Sequence, residues 1–472
     1  MDLLNSAIGS INDFLWTYII IVVLVGCGLW FTLMTGFIQL RALPEMVRLL
    51  AGDLGRRPSG RKAISSFQAF CVSTASRVGV GNIAGVAIAI VTGGPGAVFW
   101  MWVIAFIGAA TGFVESTLSQ IYKLPRGKGK FHGGPAYYIQ NALGNPRLAR
   151  FFALLISITF GLIYNSVQAN TITLSVESAF GVPPIATTVV LCILTAVVIF
   201  GGMKRIAQVT EYLVPIMAMI YIITAIIVII YNIDHVPAMF ALIFHDAFEP
   251  QAAVGGGIGT AIITGVKRGL FSNEAGEGSV PNAAATANVS HPVKQGLVQS
   301  FGVYVDTWLV CSATAFIILL PAQYTIGGNL TGIALAQASL GSIFGIYAPM
   351  LLSCMVVLFA FSSVVGNYYY GEINISFYEG NTKKRLVIYR LFVVLLVLFG
   401  CLAELSLVWN LADLFMGLLC LTNLYAVIRL SKYAYMALKG YTSQKKHNIQ
   451  EPTFDPKDLG DEKGVHAWGV DR

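Results

Sequence analysis

Charge is what this chain has least of: Asp, Glu, Lys and Arg together make up 11% of its 472 residues, against roughly 25% in an average soluble domain. With 56% hydrophobic residues, no water-soluble core of this length could absorb the apolar surface, which excludes a soluble globular fold. Histidine is scarce and scattered. His132, His235, His245, His291, His447 and His466 show no ligand spacing and lie mostly in loops or the tail, so neither a metal centre nor an intramembrane catalytic set is indicated. No GxxxxGK[ST] run occurs, which argues against an ATP-driven pump. Cys27, Cys71, Cys192, Cys311, Cys354, Cys401 and Cys420 stand singly in apolar stretches without a CxxC. They read as small buried hydrophobes rather than ligands or disulfides. Met1 to Asn12 lacks the basic stretch of a cleaved signal peptide, so the first apolar segment is expected to stay in the membrane.

What the chain does have is a series of apolar runs of about 20 residues, each long enough to cross a bilayer. Eleven are expected, at roughly 15–36, 66–92, 96–122, 151–178, 184–203, 209–231, 256–290, 296–320, 346–378, 386–403 and 408–430. The seventh and ninth are long enough to include an extra turn or break. With this division, 27 of the 30 Lys and Arg fall on one side, and only Arg77, Lys267 and Arg268 remain within the apolar segments. Basic loops stay cytoplasmic, so the N-terminus is expected outside and the C-terminus inside. The net charge of +7 then needs no nucleic acid, because basic loops face anionic inner-leaflet lipid.

The polar residues inside the apolar runs repeat. Arg77-x4-Asn82-x-Ala84-Gly85 recurs as Arg268-x4-Asn273-x-Ala275-Gly276, every position shifted by 191 residues. Five helix steps separate the copies, so the second is inverted relative to the first. The sequence therefore predicts an all-α membrane protein with one extra N-terminal helix followed by a 5+5 inverted repeat. Its layout is an extracellular 1–14, a transmembrane transporter domain 15–432 with repeats at about 66–231 and 256–430, and a flexible cytoplasmic tail 433–472. Each repeat opens on a helix that its own residues interrupt: Gly79 and Gly81 in one, Gly269 and Gly276-Glu277-Gly278-Ser279-Val280-Pro281 in the other. Interrupted helices free backbone N–H groups for a carboxylate and C=O groups for a cation near the bilayer midplane. Small-residue helix packing is the competing explanation for membrane glycines. Packing or a turn is preferred for Gly85, Gly94 and Gly96.

Several longer motifs resemble the alanine/glycine:cation symporters, a family with the LeuT-type fold. Gly93-Gly94-Pro95-Gly96-Ala97-Val98-Phe99-Trp100-Met101-Trp102 is similar to that family's signature, and residues 73–85 and 268–276 are similar to its two broken helices. Gly133-Gly134-Pro135-Ala136-Tyr137-Tyr138 and Tyr369-Tyr370-Gly371-Glu372 also match family motifs. The resemblance implies sodium-coupled uptake of a small neutral amino acid (alanine, glycine or glutamine) by alternating access, with sodium co-transported and the monomer as transport unit. It further implies a sodium site made of the Ala75, Val78 and Phe359 carbonyls with the Ser362 and Ser363 hydroxyls. The substrate would be held by Gly79, Gly81, Asn82, Gln168, Phe271, Ser272, Asn273, Ser363 and Asn367. Asn367 stands where the family's usual tryptophan follows the serine pair, which suggests a substrate larger than alanine, such as glutamine.

The charged residues of the repeat read as counter-charges or a gate. Arg77 and Arg268 are expected to neutralise Glu274, Glu277 or Asp413, because an unpaired intramembrane charge is expensive. Glu115 and Glu211 are expected to pair with the basic inner face. An ion channel would show a filter-like stretch or a ring of identical residues, and neither is evident. A proton-coupled amino-acid carrier is the nearer alternative.

Overall fold

The computed structural model of the chain describes residues 2–53, 64–127, 130–201, 203–248, 259–378 and 382–468. Arg56, Arg57, Arg61, Lys62, Lys128 and the start of the 256–290 segment lie outside the described residues, as do the side chains of Lys204, Arg205 and Glu211. Among the described residues seven helices are long and apolar enough to cross a bilayer, or nine if each of two bent pairs is one span. They form a layered bundle. Most of the Pro292–Leu319 helix is buried (78%), whereas Thr382–Leu402 is buried over only 28%.

The first broken helix shows how local sequence sets the site. Ser65 accepts from the Gln68 N–H while Gln68 accepts from the Ser65 N–H, a reciprocal cap that starts the Ser66–Arg77 helix. Val78 and Gly79 then leave helical geometry. Val80–Asn82 makes a short tight turn and Ala84–Gly93 resumes the helix. The two halves meet at 60°. The second break follows Thr260–Asn273, where Glu274, Gly276 and Gly278 all adopt positive φ (57°, 103° and 77°) before Val280–Ala284 restarts with Pro281 in its first turn. Glu274 is the costly member, since a side chain in the left-handed region is strained by roughly 1–2 kcal/mol. Its carboxylate is held by the hydroxyls of Ser76 and Ser279 at 2.8 and 2.6 Å.

Five features differ from the expectation. Gly269 interrupts nothing, because its helix runs unbroken over Thr260–Asn273 and the break begins only at Glu274. The ninth segment contains no break, because Tyr347–Ile375 is one continuous helix of 29 residues. Two helices were not anticipated, Val236–Ala247 and Gly332–Phe344. The first folds back at 82° from the preceding span, and the glycine signature receives its end. Gly96 donates to Asp246 at 2.6 Å, and a Cβ on Gly96 would fall 2.4 Å from the Ala247 nitrogen. Packing is thus the role of Gly96, while Gly94 at φ 76° ends the preceding helix.

The last difference is the tail, which does not run free from residue 433. The final helix extends over Leu405–Lys446, with Leu430, Ala434, Ala437, Leu438 and Tyr441 buried at helical spacing. Beyond it, Phe454 donates its N–H to the Ser290 carbonyl, and Trp468 is buried with its Nε1 donating to the Gln120 carbonyl at 2.9 Å. Glu451 pairs with Lys294, whose hydrogen bond holds the carboxyl below its ordinary range. Mixed charge suggested a solvated segment, but the aromatic residues within it carry enough apolar area to dock.

Candidate functional site

The unwound stretch between Arg77 and Ala84 is the centre of the molecule's buried polar network. Ser363, on the Tyr347–Ile375 helix, places its hydroxyl 3.0 Å from the Ala75 carbonyl, 3.4 Å from that of Val78 and 3.1 Å from that of Phe359. Ser362 lies 2.8 Å from the same Phe359 oxygen. All five residues expected to ligate sodium are therefore gathered around one point. A Cβ on Gly79 would fall 2.3 Å from Ser363 Oγ, so only glycine lets the two helices approach this closely.

The substrate residues gather in a different way from the expectation. Gly79 donates its N–H to Asn82 Oδ1 at 2.9 Å, and Val80 donates to Gln168 Oε1 at 3.1 Å. The backbone donors expected to meet a carboxylate are held here by side-chain oxygens of Asn82 and Gln168, because a buried N–H must find some acceptor. Phe271 lies across Gly81, where a Cβ would fall 2.7 Å from its ring. The ring is flanked by Tyr164 and Trp409, each at 4.7 Å between centroids. Asn273 sits deeper, donating to Thr307 at 3.3 Å and accepting from the Ala275 N–H at 3.0 Å. Asn367 lies one helical turn beyond Ser363. Its Oδ1 is 2.7 Å from Ser76 Oγ, and its buried Nδ2 has no partner among the described residues.

Sequence reasoning passed over Asp306. This residue, fully buried in the Pro292–Leu319 segment, accepts from Asn82 Nδ2 at 2.6 Å on one oxygen, and from Ser272 at 2.6 Å and Thr307 at 2.9 Å on the other. No ion pair to Asp306 is present among the described residues. The signal was available: a lone carboxylate inside an apolar run is a functional candidate by default. Cys311 belongs to the same cluster, with its sulfur 3.0 Å from Ser272 Oγ.

The expected charge pairs divide. Arg268 pairs with Asp413, and Lys267 reaches the same carboxylate at 3.9 Å. Arg77 instead donates to the Gln299 carbonyl at 3.2 Å, its Nε and Nη2 have no partner among the described residues, and it makes no ion pair with Glu274 or Glu277. Its Nη1 lies against Gly302, and its guanidinium acts on Glu274, Glu115 and Asp306 through space rather than by a direct pair. Glu115 does not pair with the basic face either. It accepts from the Gly276 N–H at 3.3 Å and from Asn423 at 2.8 Å, so it caps the second break. Above Phe271 lies a cavity of 490 Å³ whose lining includes Lys267, Arg268, Trp409, Asn410 and Asp413.

Two interrupted helices around a cluster of hydroxyls, freed carbonyls and buried carboxylates define a secondary carrier for a small solute and a cation. The description of the sodium:alanine symporter family matches residues 1–456, and the chain belongs to that family. It is 49% identical over 469 residues to the Bacillus subtilis protein named "Probable sodium/glutamine symporter GlnT", spanning 99% of this chain and 97% of that one. It is 50% identical over 464 residues to the B. subtilis amino-acid carrier protein AlsT, spanning 98% and 97%. Among solved structures, MhsT in complex with L-phenylalanine superposes with a TM-score of 0.55 at 13% identity, covering 85% of this chain and 92% of that one. That likeness shows a shared LeuT-type fold. The chain is accordingly a multi-pass membrane carrier that couples amino-acid transport to sodium, and not an enzyme.

Proposed function

We propose that this chain takes up a neutral amino acid of glutamine size together with sodium, by alternating access around the Gly79–Asn82 break. The convergence of the Ser363 hydroxyl with the carbonyls of Ala75, Val78 and Phe359 carries the reading. Neutral and carbonyl oxygens from two elements suit an alkali cation, and a cation there fastens the unwound helix to the Tyr347–Ile375 helix. Gly79, Gly81, Asn82, Gln168, Phe271, Ser272, Asn273, Ser363 and Asn367 form the substrate site. The substrate carboxylate displaces the side-chain oxygens of Asn82 and Gln168 from the Gly79 and Val80 N–H groups. The free Nδ2 of Asn367 then offers a donor to a side-chain amide, and the name of the relative GlnT is consistent with that substrate.

The same reading arranges the chain as eleven spans, with an extra N-terminal helix and a 5+5 inverted repeat over about 66–231 and 256–430. The Pro184–Phe200 helix has 17 residues, about 26 Å at 1.5 Å per residue, close to the apolar thickness of a membrane. The N-terminus faces outward and the C-terminal segment 433–472 faces the cytoplasm. One chain suffices as the transport unit, since both breaks come from the same polypeptide. Arg268 and Asp413 close the outer cavity as a gate, while Arg77 and Glu274 serve the interior separately.

Uptake of labelled glutamine and alanine into proteoliposomes tests this. Uptake should collapse without a sodium gradient and be competed better by glutamine than by alanine or glycine. ATP dependence, or persistence with sodium absent inside and out, would overturn sodium coupling. Stronger competition by alanine and glycine would overturn the substrate assignment alone.

A further inference from the structure

At the opposite end of the first helix from the Arg268–Asp413 gate, a groove of 540 Å³ opens between the end of the first membrane helix and the last turns of the Leu405–Lys446 helix. Its lining includes Met34, Arg41, Tyr435, Lys439, Ser443 and Lys446 and contains no Asp or Glu. We propose that this groove binds the phosphodiester headgroup of an anionic phospholipid.

The argument begins with unequal charge balance on one face. Glu45 pairs with Arg48 at 2.7 Å and with Lys445 at 3.3 Å and accepts from Tyr441 at 2.5 Å. Its charge is thereby committed, and the bonds from Arg48, Tyr441 and Lys445 outweigh burial to hold its carboxyl down at about 2. Arg41, Lys439 and Lys446 make no ion pair among the described residues. Asp458 lies against Gly440 of the last helix and forms no ion pair with Lys439. Three uncompensated cations thus line a single groove.

Geometry holds one of them ready. The first helix ends at Thr35, where Gly36 and Phe37 take positive φ of 62° and 56°. The turn brings Arg41 back so that its Nη2 donates to the Thr35 carbonyl at 2.9 Å. One guanidinium face is spent on the helix end and the rest points into the groove. Thr442 and Ser443 add hydroxyl donors.

The apolar surroundings choose a lipid over a free anion. Trp30, Leu33 and Met34 are exposed immediately on the membrane side of the groove, and Phe37, Leu40, Leu43 and Val47 are exposed along the short helices that follow. Cations beside an exposed apolar band mark the headgroup level of a bilayer. Basic pockets between membrane helices at that level suit anionic headgroups. Inorganic phosphate would make no use of the band. A lipid would lay an acyl chain along Trp30 and Leu33 while its phosphate bridges Arg41 to Lys439 and Lys446, tying the first helix to the last.

Native mass spectrometry of the purified full-length chain tests this, with phosphatidylglycerol, phosphatidylcholine and inorganic phosphate as three separate probes. Phosphatidylglycerol should bind at one copy per chain and phosphatidylcholine should not. The triple variant Arg41→Gln/Lys439→Gln/Lys446→Gln should lose phosphatidylglycerol binding on the order of tenfold or more, given the usual contribution of each juxtamembrane cation. The pair Arg429→Gln/Lys432→Gln, on the same helix outside the groove, should not. Should the triple variant misfold, Lys439→Gln alone should still weaken binding measurably. Equal binding of phosphatidylcholine, undiminished phosphatidylglycerol in the groove variants, or full competition by inorganic phosphate would each overturn the proposal. Because the readout is lipid occupancy, its failure is separate from any failure of amino-acid uptake.

Discussion

Asp306 carries a buried carboxylate that forms no ion pair among the described residues, Arg77 acts on it only through space, and its two oxygens are served by Asn82, Ser272 and Thr307. An uncompensated charge at membrane depth costs about 2.5–3.5 kcal/mol on insertion scales, so a bound cation is the natural partner. Replacing Asp306 with Asn keeps the shape and removes the charge. The expected result is at least a tenfold rise in the sodium concentration for half-maximal uptake, with normal membrane insertion. An unchanged sodium titration would show the carboxylate to be structural. Gly79 offers a second test, since a Cβ there meets Ser363 Oγ at 2.3 Å. Gly79→Ala should abolish uptake, and Gly79→Ala/Ser363→Ala should not restore sodium affinity, because the hydroxyl is lost along with the clash. Recovery of wild-type uptake in the double variant would remove Ser363 from the cation site. That Ala75, Val78, Phe359 and Ser363 lie together was legible from motif resemblance and i, i+4 spacing. The use of Asn82 and Gln168 as acceptors for the Gly79 and Val80 N–H groups was not, because it depends on which donors the break leaves unpaired in three dimensions.

Among the elements, both breaks could be read in advance because Gly79, Gly81, Gly276 and Gly278 stand where a lipid-buried helix should be plain. The Val236–Ala247 and Gly332–Phe344 helices could not. At 12 and 13 residues they are too short to register as spans, and the first is placed by its contact with the distant Gly96. The C-terminal segment was missed because its charges dominate its composition, whereas Phe454, Leu459 and Trp468 do the docking. Trp468→Ala removes a buried indole and its hydrogen bond to Gln120, a loss of about 3 kcal/mol or more for a well-packed site. The thermal midpoint in detergent should fall by several degrees, and residues near 454–468 should become protease-sensitive. An unshifted midpoint would mean that the tail docks without stabilising the helices beneath it. The Lys294–Glu451 pair adds a pH term of defined sign. Since Lys294 holds the Glu451 carboxyl down, the pair stabilises the docked tail above the ordinary glutamate range and is lost as pH falls through the lowered value. Acid should loosen the tail, and Glu451→Gln should remove that dependence.

For the molecule as a whole, orientation decides what the two polar cavities mean. The 490 Å³ cavity over Phe271 includes Thr331, Ser406 and Asn410 in its wall, and the 540 Å³ groove lies among Arg41, Lys439 and Lys446. The proposed charge sorting puts the first outside, as the entrance to the substrate site, and the second on the cytoplasmic leaflet. The first helix links them, since Asn12 donates to the Asn410 carbonyl at 2.8 Å near one end and Arg41 follows the other. This arrangement is tested by cysteine labelling in intact cells. Thr331→Cys should react with a membrane-impermeant maleimide added outside. Asn448→Cys, just beyond the last helix, should react only after permeabilisation. Of the seven native cysteines, five are buried, Cys192 is half-buried and Cys354 is exposed on the apolar helix surface, so the unsubstituted chain should give a low background. The reverse pattern would invert the topology, exchange entrance for exit, and turn the Arg268–Asp413 pair into an inner gate. Labelling of both positions from outside would remove the odd number of spans on which the inverted repeat depends. If Thr331→Cys labels from outside, its rate should fall when sodium and substrate are added together, because Phe271 and the gate above it close over an occupied site.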